Sequence, residues 1–181
     1  MNFALSAISV LGFLAIFVLS LGDERFGWGR YWPPEAPGTW QHFSFRVLFR
    51  VGLYPLIALS AILARDDGFW MPVLGAVLIL IGFGAAFAFT RKLGWRQAFG
   101  AATWLITSGP YAYSRNPVYV ATWVGLLGWA LCLPHPLVVL ALMLWAVMYV
   151  FAPFPEEPWL EDQFGSEYAA YKETTPRFIG F

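Results

Sequence analysis

Residues 117–152 read PVYVATWVGLLGWALCLPHPLVVLALMLWAVMYVFA. They are two apolar runs, 117–133 and 136–152, joined by the turn Pro134-His135-Pro136. A membrane-crossing helix takes roughly 17–25 mostly apolar residues, and each run meets the lower end of that range. So tight a turn predicts an antiparallel hairpin with both open ends on one side. Upstream, residues 4–21, 46–64 and 71–90 make three more runs, with Arg46 and Arg50 able to snorkel at the start of the second. The spacing predicts an all-α polytopic membrane protein. It would be a single membrane domain over residues 1–181, with about five transmembrane helices and short amphipathic helices at the C-terminal end.

Composition agrees. Of 181 residues, 59% are hydrophobic and 12% charged, about half the charge of a typical soluble domain. Net charge is zero, which implies no attraction to nucleic acid. Ten Trp and eight Tyr suit a bilayer interface. Cys132 is the one cysteine, so no intrachain disulfide forms. His42 and His135 lack partners at metal-ligand spacing, and no metal site is expected. The first run lacks a basic flank and a small-residue cleavage site, so it reads as a retained helix rather than a signal peptide.

The cations are one-sided. Arg25, Arg30, Arg46 and Arg50 lie in the first loop and its flank, Arg91, Lys92, Arg96 and Arg115 in the third, and Lys172 and Arg177 in the tail. Only Arg65 falls on the other side. The positive-inside rule then puts the N-terminus outside and the C-terminus in the cytoplasm, in the cytoplasmic membrane if the source is a bacterium. In the first loop, Trp28-Gly29-Arg30-Tyr31-Trp32-Pro33-Pro34 reads as an interfacial anchor rather than a substrate contact. Gly75, Gly82, Gly84, Ala85, Ala86 and Ala88 predict close backbone packing of the third helix.

Polar chemistry gathers at the open ends of the hairpin. Before it stand Gly109-Pro110-Tyr111, a turn signal, and Arg115-Asn116-Pro117, where Pro117 suits a first helical turn and Asn116 an N-cap. After it comes Glu156-Glu157-Pro158, with Pro158 expected to open a helix and Ser166 to cap a second one bearing Tyr168 and Tyr171. Paired carboxylates at the end of a span are costly unless they serve a purpose. Folding the hairpin brings Arg115 and Asn116 toward Glu156 and Glu157. Such a pocket suits a zwitterion, its carboxylate on Arg and its ammonium or hydroxyls on Glu.

At these residues the chain resembles the integral membrane methyltransferases that include isoprenylcysteine carboxyl methyltransferase and phospholipid N-methyltransferase. The resemblance rests on Gly109-Pro110-Tyr111, Arg115-Asn116-Pro117-Val118-Tyr119, Glu156-Glu157-x-x-Leu160, Phe164-Gly165-x-x-Tyr168-x-x-Tyr171 and the closing Arg177. It implies S-adenosyl-L-methionine as methyl donor and a lipophilic acceptor arriving from the bilayer. The donor would be held by residues of the loop 105–119 and the tail 154–181: Gly109, Tyr111, Arg115, Asn116, Tyr119, Glu156 and Glu157. Arg115 and Glu157 are the expected catalytic pair. Asn116 replaces the family's histidine. The stretch Phe151-Ala152-Pro153-Phe154-Pro155 lacks the arginine of the prenylcysteine enzymes, which argues against a carboxylate acceptor. A lipid amine, or a prenyl-type thiol or carboxylate, stays open as acceptor. The competing expectation is a non-catalytic lipid-binding or scaffold protein that keeps the fold.

Overall fold

The computed structural model describes residues 1–21, 30–34, 38–64, 70–101 and 103–180. Arg25, Trp28, Gly29 and Arg65, used in the sequence reading, lie outside them.

The described residues form an all-helical protein. Helices α1 (Asn2–Leu21), α2 (Trp40–Leu63) and α3 (Trp70–Leu93) are followed by a single turn at Trp95–Ala98 and a 3-10 turn at Gly109–Ala112. Helices α4 (Pro117–Cys132) and α5 (Pro136–Phe151) make the predicted hairpin, and α6 (Pro153–Phe164) and α7 (Ser166–Thr174) complete the chain. Four stretches are long and apolar enough to cross a membrane: α1, α2, Met71–Leu93, and the run Pro136–Phe164 that joins α5 to α6. Helix α4 is apolar but has 16 residues. At 1.5 Å per residue it rises about 24 Å, short of a hydrocarbon core of about 30 Å.

Several boundaries differ from expectation. Helix α2 begins at Trp40, six residues before Arg46, because Thr39 caps it: its hydroxyl accepts from the His42 N–H at 3.4 Å. Helix α6 begins at Pro153, so Pro158 lies inside it rather than at its start. Pro153 already supplies the preset φ of a first turn. Between α6 and α7 the cap is Gly165, at φ +54°, and Ser166 is the first helical residue.

Two seams of small residues set the packing. Along α3 the buried positions are Gly75, Gly82 and Ala86, facing Ala121, Gly125 and Gly128 of α4. A Cβ on Gly82 would collide with the Gly125 backbone, so the two helices touch main chain to main chain. Gly84 and Ala88 lie off this seam and are exposed. The second seam joins α1 to α2: Ser9 Oγ donates to the Gly52 carbonyl at 2.6 Å, and a Cβ on Gly12 would stand 2.7 Å from Gly52 N. Packing of this kind holds helices together where burial of apolar surface from water cannot. Helix α5 fills the middle. Its Trp145 stacks on Phe13 of α1 at 5.4 Å and meets Phe49 of α2 edge-on at 5.2 Å. Phe3, Leu11, Val18, Leu80, Ile81 and Met143 face outward, as a lipid-bathed surface allows.

Candidate active site

The end of the bundle where α4 begins and α5 finishes holds the chemistry. The 3-10 turn ends at Ala112, and Ser114-Arg115-Asn116 leads into α4. The C-terminal segment straps this turn down. Arg115 N donates to the Pro176 carbonyl at 2.9 Å, and Asn116 Nδ2 to the Arg177 carbonyl at 3.0 Å. Phe178 then packs on Trp123 at 4.8 Å. Asn116 does occupy the N-cap position, but its side chain makes no cap bond, because it reaches for the strap instead.

Glu156 and Glu157 follow one another on α6, about 100° apart around the helix, and their surroundings differ. Glu157 is buried. Arg177 grips it with both prongs, Nε to Oε1 at 2.7 Å and Nη2 to Oε2 at 2.8 Å, while Arg115 Nη1 stands 3.3 Å from Oε1. The hydrogen bond to Glu157 pushes the Arg177 guanidinium above its usual range, against the opposing effect of burial. Two cations thus share this one carboxylate. Glu156 is half-buried, and its Oε1 accepts from both the Tyr119 hydroxyl and the Trp32 indole N–H.

Three phenols complete the wall. Burial pushes Tyr171 up to about 12, with Arg115 pulling the other way. It pushes Tyr111 and Tyr168 up as well. All three are therefore neutral O–H groups at physiological pH. Tyr171 spends its hydroxyl on the Tyr111 carbonyl at 2.6 Å. Among the described residues, the buried Tyr111 hydroxyl and Arg115 Nε have no hydrogen-bond partner, while Arg115 Nη1 has the Glu157 carboxylate at 3.3 Å. Leaving buried donors unanswered costs roughly 1–3 kcal/mol each, more when charged.

These groups line a cavity of about 350 Å³. Tyr111, Arg115, Asn116, Tyr119, Glu156 and Glu157 all reach it, so the structure brings together six of the seven expected site residues. Gly109 does not line it. At φ +65° it makes the turn, and a Cβ there would meet the Lys92 amine, which itself donates to the Ser108 carbonyl at 3.2 Å. The opposite wall is apolar and comes from α1, α2 and α5: Ile16, Phe17, Phe45, Phe49 and Met148 among others.

Two neighbours were not foreseen. Arg177 figured only as a closing residue of a motif. The available signal was a cation 20 positions past Glu157, across a helix pair that doubles back. Trp32 belongs to the segment expected to be an interfacial anchor; its ring stacks on Phe45 at 4.3 Å and its N–H is committed to Glu156. No pattern in the sequence links positions 124 apart.

Comparison with known proteins follows the same outline. A family model described as phospholipid methyltransferase matches residues 70–167, which run from α3 into the start of α7 and include both glutamates. The cobalt-zinc-cadmium resistance protein CzcN of Cupriavidus metallidurans is 30% identical over 146 residues, 75% of this chain. The chain spans 66% of that relative's length. No solved structure matches. With the family model covering more than half of the chain, including Arg115, Glu156 and Glu157 of the cavity, this chain belongs to the phospholipid methyltransferase family.

Proposed function

We propose that this protein is an S-adenosylmethionine-dependent methyltransferase working at the cytoplasmic membrane interface on a lipophilic acceptor. The acceptor is a lipid amine, or a prenyl-type thiol or carboxylate. The observation that carries the reading is Arg115, whose buried Nε has no hydrogen-bond acceptor on the wall of a cavity that also holds Glu156. A ligand carboxylate answers such a donor with a charge-assisted bond. The residues present therefore fit a zwitterionic donor. Arg115 and the Tyr111 hydroxyl would hold its carboxylate, and Glu157, fixed by Arg177, would orient the rest.

When bound, S-adenosylmethionine supplies a methyl group on a positively charged sulfur. The chain's own residues then align and dry the site. Methyl transfer is an in-line displacement, so its rate depends on how rigidly the partners are held. The Pro176-Arg177 strap supports that rigidity from behind Arg115. Where the acceptor arrives as an ammonium, Glu156 takes its proton, since Glu157 is already saturated by guanidiniums. A cavity of this volume is at the small end for ligand sites, so the donor would fill most of it and the acceptor's tail would stay in the bilayer. The charge layout supports an outside N-terminus and a cytoplasmic C-terminus for one membrane domain, tested by labelling single cysteines placed in each loop.

The test is calorimetry with S-adenosylhomocysteine on the detergent-solubilised protein, paired with transfer of tritium from labelled S-adenosylmethionine into total membrane extract. Binding and incorporation are expected, with binding weakened in Arg115→Ala and Glu157→Gln. The second reading is a non-catalytic membrane scaffold. It is favoured by the Arg177–Glu157 fork, which by itself satisfies a buried carboxylate without any ligand. Absence of S-adenosylhomocysteine binding would select it.

A further inference from the structure

The family match begins at residue 70, yet part of the cavity wall comes from chain well before it. Trp32 lines the cavity and donates its indole N–H to Oε1 of Glu156, the oxygen that Tyr119 also addresses. The indole has little freedom. Its ring stacks on Phe45 at 4.3 Å with 25° between planes, and Phe45 stacks in turn on Phe49 at 6.0 Å. The described neighbours at 30–34 are held as well. Tyr31 is buried, and its hydroxyl accepts from Ser44 Oγ at 3.3 Å. Arg30 Nε donates to the Pro33 carbonyl at 2.6 Å, and its guanidinium lies over the Trp159 ring at 5.0 Å. The Pro34 carbonyl abuts Gly100, at φ +91°, where a Cβ would stand 2.6 Å from it.

A tryptophan serving only as a lipid anchor keeps its N–H for headgroups and water. This one commits it to a carboxylate on a distant helix. Two donors on Oε1 fix the carboxylate's plane and leave Oε2 as the oxygen able to accept from a bound molecule.

We infer that Trp32 is a positioning residue for Glu156. The segment 30–34, contributed from outside the family's matched region, would hold the carboxylate so that Oε2 receives the proton or N–H of the acceptor head. The inference rests on the methyltransferase reading for the role of Glu156, and on geometry alone for the contact. A Trp32→Phe change keeps a ring against Phe45 and removes the N–H. The expected result in detergent is S-adenosylhomocysteine affinity within about twofold of wild type, because the lost N–H addresses Glu156 rather than Arg115 or Glu157. Tritium transfer from labelled S-adenosylmethionine into total membrane lipid extract should fall by about tenfold or more. In a Glu156→Gln background the same change should cost less than about twofold, since a residue acting through Glu156 has nothing left to position. A separate readout is the Trp32 indole N–H resonance in 15N-labelled protein, assigned through its contact with the Phe45 ring. It should shift in Glu156→Gln, and that test stands even when Trp32→Phe does not fold. Wild-type transfer by Trp32→Phe, an equal loss in both backgrounds, or an unmoved resonance would overturn the inference while leaving the methyltransferase reading intact. Absence of S-adenosylhomocysteine binding by the wild type would overturn both.

Discussion

Glu156 and Glu157 are neighbours in the chain with opposite surroundings. Glu157 faces the C-terminal half of the site, where Arg177 and Arg115 answer it with charge and the tail binds the Arg115-Asn116 turn. Glu156 faces the aromatic half, where Trp32 and Tyr119 answer it with neutral donors beside Tyr149, whose ring lies 4.6 Å from that of Tyr119. A single helical step separates a carboxylate held as a fixed counter-ion from one held as a half-buried acceptor. In the proposed function the first belongs to the methyl donor and the second to the methyl acceptor. The difference teaches that the paired-glutamate motif names two positions, and that the chain around each decides its use.

Exchanging the roles would break that comparison. Glu157→Gln leaves the Arg115 guanidinium, largely buried, and the partly exposed Arg177 without their counter-charge. Breaking a buried ion pair from one side costs about 3–5 kcal/mol, so thermal unfolding in detergent should drop sharply, along with S-adenosylhomocysteine affinity. Glu156→Gln should leave that affinity within about twofold while methyl incorporation falls by roughly 10²–10⁴, the range for a lost proton acceptor. Equal losses of affinity in the two variants would erase the distinction. Smaller effects probe the scaffold. Gly82→Val pushes α3 off α4 and should cost about 1–3 kcal/mol, as overpacking does, read as a lower unfolding temperature without selective loss of either ligand. Lys172→Ala removes the exposed contact with Glu161 and should change stability by less than about 1 kcal/mol.

The contrast also marks how far the sequence could be read. The apolar runs, the tight Pro134-His135-Pro136 turn and the one-sided cations expose a helical membrane protein, because each is a local property of the chain. The motif residues Arg115, Asn116, Tyr119, Glu156 and Glu157 could be placed together because one hairpin fixes their proximity. Helix starts were less legible. Pro153, Pro155 and Pro158 each suit a first turn, and only packing chooses Pro153. Trp32 was illegible for a different reason. Its partner lies 124 positions away in the chain, and an aromatic, proline-rich loop looks the same whether it floats at the headgroups or plugs a site. Arg177 lay between these cases, visible as a motif's last residue but silent about which glutamate it would grip.

The most direct measurement is calorimetric titration of S-adenosylhomocysteine into wild type and Arg115→Ala in the same detergent. Saturable binding by the wild type, weakened at least about tenfold by removing the guanidinium, corresponds to about 1.4 kcal/mol or more and is the predicted result. No binding by the wild type, or equal binding by both, would contradict the assignment of Arg115 and the cavity to a methyl donor.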